Sequence, residues 1–161
     1  MQLNIRSTAS SVAFPTAGGD VYSKTPDAPA VEVIPESDWS DGMRKIFAYT
    51  QGVARRLIGK SLDIRFVKWT RREGGTWSAC YGTGHPMGVS SFDYNVGVLG
   101  WKWFEGGVTE DIDSLILHEL GHEFCSNHAD ENYYRALTKL GARLKAAALA
   151  EPEWFRRFLR T

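Results

Sequence analysis

The chain has few cysteines, no long apolar run and no excess of charge of either sign. Its two cysteines, Cys80 and Cys125, exclude the dense disulfide framework of small secreted domains, and two free thiols are favoured over a single bridge. No run of about 18 apolar residues is present, so no membrane span is expected. Lysine plus arginine and aspartate plus glutamate number 19 each, which argues against a broad basic field. We therefore expect no nucleic-acid partner.

The N-terminus also lacks the features of a targeting segment. It has neither the positively charged start nor the continuous apolar stretch of a secretory signal. Residues 1–19 contain a single cation, Arg6, which is too few for a typical transit peptide. A cytoplasmic location is the resulting expectation.

Length and composition predict one folded domain. The chain has 161 residues, of which 43% are hydrophobic and 12% aromatic, and this is enough to build a core. Prolines and glycines punctuate residues 1–36, which we predict to be an N-terminal arm that is partly irregular. Residues 37–161 are then predicted to form a single domain.

Hydrophobic periodicity predicts an α+β fold. Alternation with period two predicts strands at residues 62–69 and 92–98, and a shorter strand is predicted at residues 76–81, after the turn at Gly74-Gly75. Helical spacing predicts a helix from Ser37 or Ser40 to just before Gly59, a second from Thr109 to about Cys125, a third from about Asp130, and a short amphipathic tail after Pro152.

The segment His118-Glu119-x-x-His122 indicates a metal site on the second of these helices. Histidines four residues apart lie on one helix face, and this separation lets two imidazoles bind one zinc ion. Glu119 lies beside them and can act as a general base on a water at the metal. Three of the four histidines in the chain fall within eleven residues. The structural alternative is a polar, solvated helix face.

His128 is the candidate for the third ligand. On an unbroken helix it would point some 80° away from His118, so the helix has to stop soon after His122 and the chain has to turn back. Ser126-Asn127 supplies a stop, because asparagine is tolerated at helix C-termini. The competing third ligands are Asp130 and Glu131.

The extended sequence His118-Glu119-x-x-His122-x-x-Cys125-x-x-His128 is similar to the H-E-x-x-H-x-x-G-x-x-H motif of the metzincin zinc peptidases. The order of strands and helices resembles a minimal zincin catalytic core. This resemblance implies one zinc ion held by His118, His122 and His128, with Glu119 as base. It also implies a small, mostly antiparallel sheet of three or four strands, packed on an N-terminal helix, the H-E-x-x-H helix and a C-terminal helix. Residues 92–98 would be the edge strand that pairs with an extended substrate.

The resemblance covers residues 37–147, but its specific part is only eleven residues long. Cys125 replaces the glycine of the metzincin motif, so the turn must be made differently here. No methionine follows Met87, so the methionine turn beneath the metal is absent. A compact zincin with a third histidine therefore fits better than a metzincin.

Three further residues near the motif have alternative interpretations. Cys125 is expected to be a packed thiol, with metal ligation or redox switching as the alternatives. Tyr133 and Tyr134 are candidates for donating a hydroxyl to a developing oxyanion. Tyr133 also fits the apolar stripe of its helix, which favours a core role.

The function predicted from these residues is zinc-dependent hydrolysis of peptide bonds, as an endopeptidase acting on a protein or peptide substrate. Acidic residues nearby are available to orient the ligand histidines: Asp111, Asp113, Glu123 and Asp130. Two non-catalytic alternatives stay open. One is a zinc-stabilised binding module, in which Cys125 or Asp130 closes the metal site, and the other is an interaction protein that uses residues 154–160. The sequence predicts neither the natural substrate nor the oligomeric state.

Overall fold

The computed structural model describes residues 31–69, 77–83 and 88–159. Within these ranges the chain forms four strands, six α-helices and one short 3-10 turn. The strands are β1 (Val31–Val33), β2 (Leu62–Trp69), β3 (Ala79–Gly82) and β4 (Ser90–Asn95). The helices are α1 (Asp41–Ile58), α2 (Val96–Leu99), α3 (Lys102–Glu105), α4 (Glu110–Gly121), α5 (Glu131–Ala150) and α6 (Pro152–Arg156). The predicted α+β fold is confirmed.

The four strands form one mixed sheet in the order β1-β2-β4-β3. β1 pairs with β2 and β3 pairs with β4 in antiparallel fashion, whereas β2 and β4 are parallel. The prediction that residues 92–98 form an edge strand is therefore wrong, because β4 lies between two neighbours. β3 is the edge strand on that side of the described sheet. After β2 the chain forms β3 at the far edge of the sheet and then returns to form β4 between β2 and β3. Spacing along a sequence does not reveal such a crossover.

The strand predicted at residues 92–98 corresponds to β4, which is shorter than predicted because it ends at Asn95 instead of residue 98. The Asn95 side chain accepts a hydrogen bond from the backbone N–H of Gly97 at 3.1 Å, which starts the single turn of α2. Its amide nitrogen donates to the carbonyls of Trp69 and Trp77, both at 3.0 Å. Asn95 thus ends β4, caps α2 and binds both to the backbone at Trp69 and Trp77. Residues 70–76 and 84–87, which include the predicted start of β3 at residue 76, lie outside the described residues.

The N-terminal arm predicted for residues 1–36 is described only from residue 31 onward. That part belongs to the folded body, because β1 pairs along Val67–Trp69 of β2. The backbone N–H of Ile34 donates to the carbonyl of Phe66 at 2.8 Å, which continues the pairing. Residues 31–34 therefore form an edge of the sheet.

Helix α1 matches its prediction in both position and caps. The Ser40 side chain accepts from the N–H of Met43 at 3.2 Å, which satisfies one of the free donors of the first turn. Gly59 ends the helix in the left-handed conformation, with φ of 70°. The apolar stripe of α1, including Met43, Ile46 and Val53, is buried.

The core lies between the sheet and the helices. Alternate side chains of β2 and β4, such as Phe66 and Tyr94, face α1 and are fully buried. α4 packs against α1 and the edge strand β3, and α5 packs against both α1 and α4. The rings of Trp154, Phe155 and Phe158 close the far end of this core around Tyr49. Among the described residues, no helix combines the length and apolar character needed to span a bilayer.

Helix α4 ends at Gly121, four residues earlier than the predicted end at Cys125. Its N-terminus is capped as expected, because the Thr109 hydroxyl accepts from the N–H of Ile112 at 3.4 Å. After Gly121 the hydrogen bonds change to the tighter i to i−3 pattern, from Glu123 to Leu120 and from Phe124 to Gly121. This tightened last turn redirects the chain before it reaches Ser126, where the sequence predicted the stop.

Candidate metal site

Three histidines converge at the C-terminal end of α4. His118 lies in the last turn of the helix, His122 is the residue that follows its end, and His128 belongs to the turn before α5. Nε2 of His128 is 3.2 Å from Nε2 of His118 and 2.9 Å from Nε2 of His122. The structure therefore brings together all three histidines that the sequence singled out.

The loop between α4 and α5 positions His128. The chain turns back over residues 122–130, and the Asn127 side chain accepts from the N–H of Ala129 at 3.0 Å. The Asn127 carbonyl accepts from the N–H of Asp130 at 3.1 Å. These two bonds fix the backbone after Asn127, around His128. They place the His128 ring beside His122, six residues earlier in the chain, at the end of α4.

His118 and His122 favour the neutral form, which leaves nitrogen lone pairs at the centre of the cluster. Nδ1 of His122 is 3.2 Å from the carbonyl oxygen of Cys125, and a proton on Nδ1 donates this bond and leaves Nε2 as an acceptor. Burial, with the neighbouring imidazoles, holds the pKa values of His118 and His122 below the ordinary histidine value. Neutral histidines with their Nε2 atoms facing one another are the protonation state that metal binding needs.

The geometry of the three nitrogens fits a single metal ion. At the usual metal–imidazole distance, two ligand nitrogens of a tetrahedral site are about 3.3 Å apart. The distances of 3.2 and 2.9 Å are close to this value. Within the described part of the chain, these histidines are the one set of His, Cys, Asp and Glu side chains whose ligand atoms converge. They could bind a metal ion without a rearrangement of the backbone.

Tyr133, on the first turns of α5, forms the floor of the cluster. Its ring centre is 5.7 Å from that of His118, 5.2 Å from that of His122 and 4.8 Å from that of His128. Its hydroxyl donates to the backbone carbonyl of His118 at 2.9 Å, and only 2% of the residue is exposed. Because that hydroxyl is occupied beneath the histidines, Tyr133 supports the rings and is not placed as an oxyanion donor.

Gly121 makes this close approach of Tyr133 possible. A Cβ atom on Gly121 would lie 2.9 Å from Cε2 of Tyr133 and 3.0 Å from Cδ2 of Leu137. Such separations are too short for non-bonded carbon atoms. The glycine within the H-E-L-G-H segment therefore has a packing reason, namely that α5 touches α4 there.

Glu119 lies beside the histidines and faces the edge of the sheet. Its Oε2 accepts a hydrogen bond from the backbone N–H of Tyr81 in β3 at 3.0 Å, and the residue is 7% exposed. Burial raises the pKa of Glu119 to about 8, and the bond from Tyr81 opposes part of that rise. A carboxyl group with a pKa near neutrality can both accept and release a proton at physiological pH.

Tyr81 also fixes the edge strand to the end of α4. Its hydroxyl donates to Oε2 of Glu123 at 2.5 Å, and Lys60 forms an ion pair with the other oxygen of the same carboxylate. One tyrosine thus binds two carboxylates, that of Glu119 in α4 through its backbone and that of Glu123 in the following turn through its hydroxyl. No sequence pattern marks Tyr81 as a site residue. Its one signal is its place in the short predicted strand at residues 76–81.

The competing ligands have other partners. Asp130 caps α5, since its Oδ1 accepts from the N–H of Asn132 at 2.8 Å, and Glu131 pairs with Arg135. The Cys125 thiol contacts the carbonyl of Asn127 at 3.6 Å and is not part of the converging set. Tyr134 points away from the core and is 60% exposed.

The acids expected to orient the histidines also have other roles. Asp113 accepts from the Tyr49 hydroxyl at 2.6 Å, Glu123 binds Tyr81 and Lys60, Asp130 is the cap described above, and Asp111 is exposed. For His122 a backbone carbonyl takes that place instead, because the carbonyl of Cys125 lies within hydrogen-bond distance of its Nδ1. A sequence pattern cannot show such contacts, because every residue has a carbonyl.

Comparisons of the chain with protein-family models, with curated protein sequences and with solved structures give no match. The chemistry of the site is therefore inferred from its own residues and their geometry.

Proposed function

We propose that the protein is a zinc-dependent peptidase. The observation that carries this proposal is the convergence of three Nε2 atoms beside a buried glutamate that borders the edge of the sheet. A metal held by three neutral imidazoles keeps a coordination position for a water or substrate, which is the pattern of catalytic zinc sites. The resemblance to a compact zincin agrees with this arrangement.

The donor set favours zinc and an open site. Imidazole nitrogens suit zinc among the common metals, although copper, iron and nickel also accept them. The two residues that could close the site in a purely structural centre, Cys125 and Asp130, are engaged elsewhere in the described structure. A zinc ion bound here would supply Lewis acidity, polarising a carbonyl and lowering the pKa of a water towards about 7.

Glu119 would move the proton in this reaction. Its Oε2 is fixed by the N–H of Tyr81, so Oε1 is the oxygen left to act as base. Glu119 accepts a proton from the attacking water as the water oxygen bonds to the peptide carbonyl carbon. It then delivers that proton to the nitrogen as the carbon–nitrogen bond breaks. Water and the peptide are thus the only reactants: an oxygen–carbon bond forms, the carbon–nitrogen bond breaks, and one proton moves from the water to the nitrogen.

Strand β3 is the element best placed to hold an extended peptide. In the described sheet it pairs with β4 on one side only, and it carries the Tyr81 N–H that binds Glu119. A peptide added along β3 would gain backbone hydrogen bonds and lie beside the end of α4. The substrate strand would thus pair with residues 79–82 and not with residues 92–98.

Tyr133 would replace the missing methionine turn. In the metzincins a methionine lies beneath the metal, and here the aromatic ring of Tyr133 contacts all three histidines from one side. A tyrosine ring where the metzincins have a methionine supports a compact zincin and argues against a metzincin proper.

The substitution Glu119→Gln tests the proposal. The variant should bind zinc with the stoichiometry of the wild type, because glutamine keeps the size of the side chain and its acceptor for Tyr81. Its cleavage of a denatured protein, read by mass spectrometry of the released peptides, should fall by roughly 100-fold to 10,000-fold. Wild type that binds one zinc per chain and cleaves nothing in a broad peptide library would refute the peptidase and favour the zinc-stabilised binding module.

A further inference from the structure

A groove with an apolar floor and a basic rim lies next to the metal site. It has a volume of about 310 Å³ and is bounded by the turn after α4 and by one face of α5. Phe124, Ala136 and Leu140 form its floor, and Arg135, Lys139 and Arg143 form its rim. Phe124 is two residues from His122, and Leu140 lies only about 20° around α5 from Tyr133, two turns further along the helix. The groove and the histidines therefore share the same two segments of chain.

The rim carries three positive charges, of which one, Arg135, is paired with an acidic side chain. Arg135, Lys139 and Arg143 are spaced four residues apart, which makes them neighbours on one helix face. Like charges at this spacing destabilise a helix, so the arrangement has a small energetic cost. Among the residues described, no acidic side chain lines the groove.

The three cations differ in how far they are engaged. Arg135 pairs with Glu131, and Arg143 donates to the carbonyl of Leu57 at the end of α1 at 2.6 Å. Lys139 has no acidic partner among the described residues, and it is exposed at the centre of the rim. Lys139 is therefore the group available to a ligand.

The floor offers apolar contact beneath these charges. Phe124 is 52% exposed, which is high for a large aromatic residue, whereas Ala136 and Leu140 are buried. The volume is at the lower end of the range for ligand sites and holds two or three side chains. A ligand that fits both surfaces has carboxylates and apolar side chains in close succession.

We propose that this groove binds an acidic peptide segment in which carboxylate residues flank an aromatic or aliphatic one. The carboxylates would meet Lys139 and the outer faces of the two arginines, and the apolar side chain would cover Phe124. Binding does not depend on hydrolysis. The use of the groove to select substrates for the nearby metal site does rest on the proposed peptidase function.

The experiment measures binding without cleavage, using full-length Glu119→Gln protein. The probe is a fluorescein-labelled short peptide that alternates glutamate with phenylalanine and leucine, and its match has glutamine in place of every glutamate. Fluorescence anisotropy should show that the acidic peptide binds and that its affinity falls as salt is raised. Lys139→Glu should weaken its binding by about fivefold to tenfold. Lys145→Glu, on another face of the same helix, should leave it unchanged.

Each result decides the proposal. Equal affinity for the acidic and the glutamine peptide, no binding of either, or equal losses in the two lysine variants would overturn it. Displacement of the peptide by a single-stranded oligonucleotide of the same charge would overturn the peptide assignment. Lys139→Glu places a glutamate four residues before Arg143, a pair that stabilises helices, so loss of binding without loss of thermal stability excludes unfolding as its cause. A cleavage assay of the wild type tests the peptidase separately, because its failure leaves these binding results as they are.

Discussion

The two ends of α4 each hold a carboxylate against a tyrosine, half-buried at Asp113 and buried at Glu119, but the surroundings of the two differ. Near the N-terminal end, Asp113 accepts from the side-chain hydroxyl of Tyr49 at 2.6 Å. Near the C-terminal end, Glu119 accepts from the backbone N–H of Tyr81 at 3.0 Å. Burial raises the pKa of both carboxyl groups, to about 8 for Glu119.

What surrounds each carboxylate makes the difference between them. Asp113 faces an aromatic cluster in which Tyr49 stacks on Trp154, and it serves packing. Glu119 lies next to three imidazoles whose nitrogens converge near the surface. Burial alone therefore does not distinguish the two carboxylates. Glu119 is the proposed base because its burial is combined with an adjacent set of ligand atoms.

The largest effect should come from removing the His128 ligand from the cluster at the C-terminal end of α4. His128→Ala removes one of three ligands, so zinc affinity should fall by more than about 100-fold, because even residues that merely orient ligands affect affinity by about 10-fold to 100-fold. Isothermal titration with zinc measures this loss. The metal-free variant should unfold close to the wild-type temperature, since His128 is exposed. Unchanged zinc affinity would contradict the site and return the third ligand to Asp130 or Glu131.

The parts of the site that could be predicted from the sequence are those set by local spacing. The separation of His118 and His122 follows from the helix repeat, and the helix starts at Ser40 and Thr109 follow from the capping chemistry of these side chains. The position of His128 required one assumption, a break in the helix, and the structure makes that break at Gly121. These features depend on neighbours along the chain, which a sequence displays directly.

The parts that could not be predicted depend on contacts between distant segments. The sheet order places β4 inside and β3 at the edge, and this follows from a crossover that no local pattern encodes. Tyr81 meets Glu119 across 38 positions of the chain. The helical stripe that contains Tyr133 predicted a core residue, which is correct, but it could not show that the other side of this core is a cluster of histidines.

A smaller effect is expected from substitutions of Tyr133, and they test whether this residue supports the three histidines. Tyr133→Phe keeps the ring and removes the bond to the His118 carbonyl, so we expect a loss of about 1 kcal/mol in the free energy of unfolding. Tyr133→Leu removes the aromatic surface beneath the histidines as well. Chemical denaturation measures both losses, and the visible spectrum of the cobalt-substituted protein reports the geometry of the metal ligands.

A matched core variant separates support of the metal from general packing. Leu140→Ala, on the same helix and also buried, should lower stability by about 2–5 kcal/mol without altering the cobalt spectrum. Tyr133→Leu should alter that spectrum, and Tyr133→Phe should leave it close to the wild type. If Leu140→Ala and Tyr133→Leu change the spectrum equally, Tyr133 has no particular role beneath the metal.

The smallest effect should come from Asp113→Asn at the other end of α4. Asparagine keeps an oxygen that can accept from the Tyr49 hydroxyl, so cleavage should stay at the wild-type level and stability should change by no more than about 1 kcal/mol. The sign of the pH dependence is the sharper test. The pKa of Asp113 is raised in the folded state, chiefly by burial, so the folded protein holds that proton more tightly than the unfolded chain does. Its contribution is then fully present at pH below the ordinary aspartate pKa and is lost as pH rises through the raised value.

Asparagine has no such proton to lose. The stability of Asp113→Asn relative to the wild type should therefore increase as pH rises from about 4 towards neutrality, as urea denaturation at several pH values would show. Taking the difference between the two proteins cancels the titration of the other carboxylates, Glu119 included. A difference that grows as pH falls would mean that the charged form of Asp113 is the one the fold favours. The bond with Tyr49 would then outweigh burial, and the two ends of α4 would differ in the sign of their pKa shifts as well as in their neighbours.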